Sequence, residues 1–202
     1  MRPPVPGNPT ALERTRRHGL PSPSDQELIE LVGVGNLAAL GELFDRYECD
    51  VRRVIIRLGV QAGDADDLVQ NTFLDLIRAA GRYDPSLPAR NWLFGLAVIL
   101  VRRHRRSLSR LAARLLLRVH LPISDSPATP AAELERDQEL ARFQRAFARL
   151  SAKKREVFTL ITLEGLSSEE VSRALHIPVP TVRTRLHHAR QELRASLSDL
   201  EA

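Results

Sequence analysis

Apolar residues recur three and four positions apart along most of this chain, the spacing that places one stripe on a helix. Ser24-Asp25-Gln26-Glu27 opens the first such stretch with a cap and early acids, and Leu28, Leu31 and Val32 give its stripe. Gly33 and Gly35-Asn36 end it. A second helix is expected through Leu40, Leu43, Phe44, Tyr47, Val51, Val54, Ile55 and Leu58, closing at Gly59. A third starts near Asp64 to Asp67 and runs through Leu68, Phe73, Leu74 and Ile77 to about Ala80. Asp84-Pro85-Ser86-Leu87-Pro88 reads as a loop, after which a fourth helix begins near Ala89 and passes through the apolar run Trp92 to Val101 into an arginine-rich stretch. Further helices are expected over Leu134 to Leu150 and Lys153 to Leu163, followed by two short ones.

Those last two carry the most information. Ser167 or Ser168 sits where an N-cap belongs, with Glu169 and Glu170 in the first turn, where acids suit the helix dipole. Val171, Ala174 and Leu175 make a stripe about two turns long. Pro178 biases Ile177 out of the helical region, and Pro180 is tolerated only in a first turn, so the next helix begins at about Val179 to Thr181. On it Val182, Leu186, Ala189 and Leu193 form a buried seam. The opposite face carries Thr181, Arg183, Thr184, His187, His188 and Gln191, flanked by Arg185 and Arg190, with no acid before Glu192. Two helices joined by a tight turn, the second rich in guanidinium and hydroxyl groups, meet the requirements for entering a major groove. A basic, solvated helix of an ordinary bundle is the plainer alternative.

Composition narrows the class. The chain has 202 residues, 43% hydrophobic and only 4% aromatic, which fits one domain or two small ones, all-α. Net charge is +5 and the pI near 10.3, an imbalance that favours a polyanionic partner. Residues 1–23 hold Pro3, Pro4, Pro6, Pro9, Pro21 and Pro23 and read as a disordered tail. Between residues 102 and 118 stand seven arginines and no acid, whereas 122–139 holds five acids and one arginine. That sign change, with Pro122, Pro127 and Pro130, marks a flexible linker over 109–132 between a domain at 24–108 and another at 133–199. Cys49 alone excludes an internal disulfide and reads as a core residue or a bystander. The apolar run of ten residues is about half of what a bilayer crossing needs, and the N-terminus has no apolar core with a cleavage site. A cytoplasmic protein without stable membrane insertion is expected.

Taken together, Gly35-Asn36-Leu37-Ala38-Ala39, Phe44-Asp45-Arg46-Tyr47, Asp66-Asp67-Leu68-Val69-Gln70-Asn71-Thr72-Phe73, Arg90-Asn91-Trp92-Leu93, Leu163-Glu164-Gly165-Leu166-Ser167 and Thr181-Val182-Arg183-Thr184-Arg185-Leu186-His187 resemble the extracytoplasmic-function group of the bacterial sigma-70 family. Each match is weak alone, and their order and spacing over residues 25–197 make the resemblance specific. It implies a region 2 domain, a region 4 domain and none between them, acting as a dissociable specificity subunit of RNA polymerase. Core RNA polymerase, promoter DNA and an anti-sigma factor are the implied partners.

The resemblance also implies roles. Asp66, Asp67, Gln70 and Asn71 would meet core polymerase; on their own, the aspartates fit capping and solvation equally well. The loop from Tyr83 to Arg90, with Arg90, Asn91 and Trp92, matches the element that captures an unpaired base of the −10 region. Arg102, Arg103, Arg105 and Arg106 with His104 can supply phosphate contacts to the displaced strand. Thr181, Arg183, Thr184, Arg185, His187, His188 and Arg190 would read the −35 element. The chain departs from the family at Leu87, Pro88 and Ala89, where a Gly and an aromatic are usual and the loop is one residue shorter. It also has Val98 and Ile99 where polar or basic residues are usual, Ser172 for Ala, and His176 where the turn often has Gly. His tolerates a positive φ better than most side chains.

A stand-alone helix-turn-helix regulator is the alternative, and the Asp-Asp-x-x-Gln helix with its Trp-bearing loop argues against it. No Gly-rich phosphate loop, His-x-x-x-His helix or nucleophile motif is present, so no enzyme, catalytic residue, cofactor, metal site or small-molecule substrate is expected. Adjacent His187 and His188 point in different directions on a helix and chelate one metal poorly.

Overall fold

The computed structural model describes residues 22–116 and 136–198, with side chains described for 22–110 and 140–198. Residues 1–21 of the expected tail, and 117–132 of the expected linker, lie outside the described residues.

Helix α1 (Asp25–Gly33) begins with a reciprocal cap: the Ser24 hydroxyl accepts from the Glu27 amide, and the Glu27 carboxylate accepts from the Ser24 amide at 2.8 Å. Gly35, at φ 86°, turns the chain into α2 (Leu37–Arg57), which is capped by Asn36. The Asn36 side chain accepts from the Ala38 and Ala39 amides at 3.0 and 3.1 Å. Asn36→Ala is therefore expected to cost about 1 kcal/mol, read as a shifted midpoint in urea unfolding. Helix α3 (Ala62–Ala79) ends in a short 3-10 turn (Ala80–Arg82), and α4 (Ala89–Leu116) follows the loop. These four helices bury Leu28, Leu43, Ile55, Leu76, Leu93 and Phe94 completely.

Helix α4 runs past position 108, so residues 109–116 of the expected linker are helical. Between Leu96 and Leu121 there is neither Gly nor Pro, and Arg, Leu and Ala are good helix formers. Charge patterning placed the break too early because it does not itself terminate a helix.

The C-terminal half comprises α5 (Arg136–Arg149), α6 (Ala152–Phe158) continuing as a π-helical turn (Thr159–Leu163), α7 (Ser168–Leu175) and α8 (Val179–Ser198). Ala146, Leu150, Phe158, Ala189 and Leu193 form a small core of their own beside Phe143 and Phe147. Val157, Leu160, Leu166, Val171, Leu175 and Val182 instead join the core of α1–α4. The seam lies where α7 meets α4, and Gly95 permits it: a Cβ there would lie 2.4 Å from the Ala174 carbonyl oxygen. Among the described residues there is no strand, and no helix is long and apolar enough to cross a membrane.

Candidate nucleic-acid interface

The α7–α8 unit is built by local chemistry. Ser167 and Glu170 form a second reciprocal cap, fixing the start of α7. The turn passes through His176 at φ 52° and ψ 49°, a left-handed conformation that Gly usually supplies. The Ser172 hydroxyl donates to the Ile177 carbonyl at 2.6 Å and holds this turn. On α8, Val182, Ala189 and Leu193 are buried and Leu186 half-buried. Arg183, Thr184, His187, His188 and Arg190 are exposed on the other side, with Thr181 and Arg185 half-buried. Arg183 is lightly tied, 3.1 Å from the exposed Glu169 carboxylate, and the Thr184 hydroxyl donates to Pro180 O at 2.9 Å. The His187 and His188 rings sit 5.8 Å apart and tilted by 56°, and no group of three metal-ligating side chains occurs among the described residues.

Helix α3 buries Leu68, Thr72 and Phe73, which leaves Asp66, Asp67, Gln70 and Asn71 together on its exposed side. Asp66 pairs with Arg52 at 2.8 Å. Exposed Leu74 extends that face. Cys49 is exposed, so it is a bystander and not a core residue.

The loop before α4 is compact. The Tyr83 hydroxyl donates to Leu87 O at 2.9 Å, Ser86 folds onto Asp84, and Pro88 O accepts from the amides of Asn91 and Trp92 to start the helix. Leu87 and Ala89 are buried, so the departures at these positions serve packing. Trp92 is half-buried against Tyr83, with ring centroids 5.0 Å apart, and forms part of the wall of a 460 Å³ cavity with Arg82, Arg103 and His176. Val98 is fully buried, so no polar group at that position could face a strand without a change in packing.

The arginines differ from a free basic face. Arg90 donates to Asp50 at 2.5 Å and to Glu164 at 2.9 Å, and its guanidinium lies 4.5 Å from the Phe94 ring centroid. Asn91 is buried and donates to Glu170 at 2.9 Å. Arg102 forks onto Glu156 at 3.0 and 2.7 Å. Arg103 pairs with Asp75 at 3.1 Å, while Arg105 donates to Leu58 O and Arg106 to Arg102 O. Burial raises the Asp50 pKa, but the hydrogen bonds and charges of Arg90 and Arg53 outweigh it and hold the carboxyl below its usual value. The Glu156 bond keeps Arg102 firmly protonated against its burial. Only Arg103 and Arg106 of this set are exposed.

Sequence reasoning missed Glu156 and Glu164, the acids that take up Arg102 and Arg90. Glu164 was legible only as part of the entry to the two-helix unit, and Glu156 follows Lys153, Lys154 and Arg155 in a charged helix start, where no sequence signal marks it as buried.

Similarity to known proteins follows the same two halves. The family model described as Sigma-70 region 2 matches residues 43–111, and that described as Sigma-70, region 4 matches residues 140–193. RNA polymerase sigma factor CnrH of Cupriavidus metallidurans is 30% identical over 183 residues, covering 88% of this chain and 96% of that protein. RNA polymerase sigma factor CarQ of Myxococcus xanthus is 31% identical over 169 residues, covering 81% and 91%. ECF RNA polymerase sigma factor SigE of Mycolicibacterium smegmatis is 30% identical over 182 residues, covering 87% and 70%. Among solved structures, CnrH in complex with the cytosolic domain of CnrY superposes with a TM-score of 0.61 at 29% identity, covering 88% of this chain and 99% of that one. With matching sequence along both halves and a shared fold, this chain belongs to the sigma-70 family of RNA polymerase sigma factors, in its extracytoplasmic-function group.

Proposed function

We propose a division of labour for this sigma factor in which α8 reads the −35 element, the Trp92 loop and α4 melt and hold the −10 region, and α3 docks on core polymerase. The observation that carries the reading is the two-sided α8: a closed apolar seam on one side, and an unbroken row of guanidinium, imidazole and hydroxyl groups on the other. Arg183 and Arg190 can fork onto guanine edges or clamp phosphates, and Thr181, Thr184, His187, His188 and Arg185 serve either task. In the melting element Trp92 offers a face for an extruded base, and Arg82 and Arg103 around the same cavity offset its phosphate charge. Arg90, Asn91, Arg102, Arg105 and Arg106 extend that track once their internal partners are released.

Asp66, Asp67, Gln70 and Asn71 are the polymerase-facing set, because they share an exposed face on which, among the described residues, the Asp66–Arg52 pair is the one ion pair. The residue 24–108 and 133–199 units act as separate modules on the promoter. The protein works in the cytoplasm as a regulatory subunit and not as an enzyme. CnrH has been solved with the cytosolic domain of CnrY, and by that likeness a protein of anti-sigma type regulates this chain.

Run-off transcription with purified sigma-free core polymerase and a cognate template tests the reading; no start-site selection at any cognate template overturns it. Arg183→Ala is expected to weaken duplex promoter binding by about 1–3 kcal/mol while leaving polymerase affinity unchanged. A parallel fall in both affinities in a filter-binding and pull-down pair would contradict the assignment.

A further inference from the structure

A cleft of 420 Å³ lies where α4, the start of α6 and α8 come together, and most of its lining side chains are cationic. Helix α4 supplies Arg102, Arg105 and Arg106, α6 supplies Lys153, and α8 supplies Arg185. Among the described residues Glu156 is the one carboxylate in the lining, and it is already occupied: Arg102 forks onto it at 3.0 and 2.7 Å. Arg106 and Lys153 are exposed, and Arg105 and Arg185 half-buried. Among the described residues none of these four cations lies within ion-pair distance of an acid. Burial lowers the Arg105 pKa, and the more distant charge of Glu156 does not restore it.

We propose that this cleft binds a short oligophosphate anion through Lys153, Arg185, Arg105 and Arg106, and that its occupancy competes with promoter DNA for Arg185. The binding stands on the cleft alone, whereas the competition rests on the −35 reading of Arg185.

Chemistry selects the ligand class. Guanidinium groups fork onto phosphate oxygens, and a lysine ammonium serves phosphate as a point charge. The four unpaired cations come from three separate helices, so a carboxylate or a single orthophosphate meets only one or two of them. Linked phosphates carry several charges at fixed spacing and span the walls. Like charges confined by three helices repel one another, and a multivalent anion relieves a repulsion that the fold otherwise leaves to solvent. Ala152 and Ile177 make up the apolar part of the described lining, too little to favour a lipophilic ligand. The volume falls in the range of about 300–1,000 Å³ usual for small-molecule sites.

Lys153 sets this site apart from the DNA surfaces proposed above. It stands in the first turn of α6, is exposed, and belongs to neither the −10 nor the −35 set. Arg185 is half-buried and lines the cleft, unlike exposed Arg183 and Arg190 on the same helix. An oligophosphate seated here therefore draws Arg185 away from duplex phosphates and leaves the rest of the α8 face untouched.

Isothermal titration of the full chain with inorganic triphosphate, at constant ionic strength, tests the site without any DNA. One saturable site is expected, about tenfold or more tighter than for orthophosphate, because more charge-assisted bonds form. Lys153→Ala and Arg185→Ala should each weaken it by about tenfold, the scale of one charged hydrogen bond lost. Arg149→Ala removes an exposed cation outside the cleft lining and should leave the affinity unchanged. Lys153 is exposed, so its variant reads the site even if Arg185→Ala fails to fold. No saturable binding, equal binding of orthophosphate, or the same loss in Arg149→Ala overturns the site, the last because it marks a diffuse attraction to net charge. A fluorescein-labelled −35 duplex should bind the wild type about tenfold more weakly when triphosphate is present at roughly ten times its own Kd, and Lys153→Ala should resist that shift. An equal shift in both proteins marks ionic screening and overturns the competition. Run-off transcription by the wild-type chain, scored separately, decides the sigma-factor division of labour, so the two ideas fail on different readouts.

Discussion

Phe94→Ala is expected to destabilise the folded chain by about 3–5 kcal/mol, the largest single-residue loss in stability predicted for this molecule. Phe94 is fully buried in the second turn of α4, the helix packed against α2, α3 and α7, so truncation leaves a cavity at the junction of both halves. The surrounding helices cannot close over it cheaply, because neighbouring Leu93 and Ala97 are themselves fully buried and fixed in place. A second loss accompanies the first, since the Arg90 guanidinium rests on the Phe94 ring. Without that seat Arg90 holds Asp50 and Glu164 less firmly. Urea unfolding followed by far-UV circular dichroism measures the effect; a loss below about 1 kcal/mol would show that α4 is not the central beam of the fold.

Asp67→Ala combined with Gln70→Ala should lower retention on core polymerase by on the order of tenfold or more, the scale of two interface residues removed together. The same change should leave stability within about 0.5 kcal/mol, since both side chains are exposed and the core side of α3 is untouched. Duplex −35 binding by α8 should not change, because α3 and α8 share no part of the proposed DNA surface. Co-purification with tagged core polymerase reads the first effect and urea unfolding the second. Undiminished co-purification would remove α3 as the docking helix and reopen the alternative of a DNA-binding regulator. A loss of retention accompanied by unfolding would assign the two residues to structure instead.

Local chemistry was legible residue by residue. The Ser24 and Ser167 caps, the break at Pro178 and the seam Val182-Ala189-Leu193 all follow from near neighbours in the chain, whereas Asn36, read only as an end of the first helix, also caps the second. His176 in a left-handed turn was also readable, because few other non-glycine residues accept that conformation. The end of α4 was misjudged: an excess of one charge sign is not a helix terminator.

By itself, then, the sequence determined an all-helical chain, the faces each helix buries, the two-helix unit with its basic row, and the order of motifs that defines the family. Only tertiary structure decided what the arginines hold. Arg53 and Glu164 are separated by 111 positions and Arg102 and Glu156 by 54, and no periodicity connects residues that far apart. The close approach of Gly95 to Ala174 belongs to the same class, because a missing Cβ becomes informative only when another backbone arrives beside it. Helical spacing is written into covalent neighbours, whereas charge pairing between distant segments depends on how the helices pack.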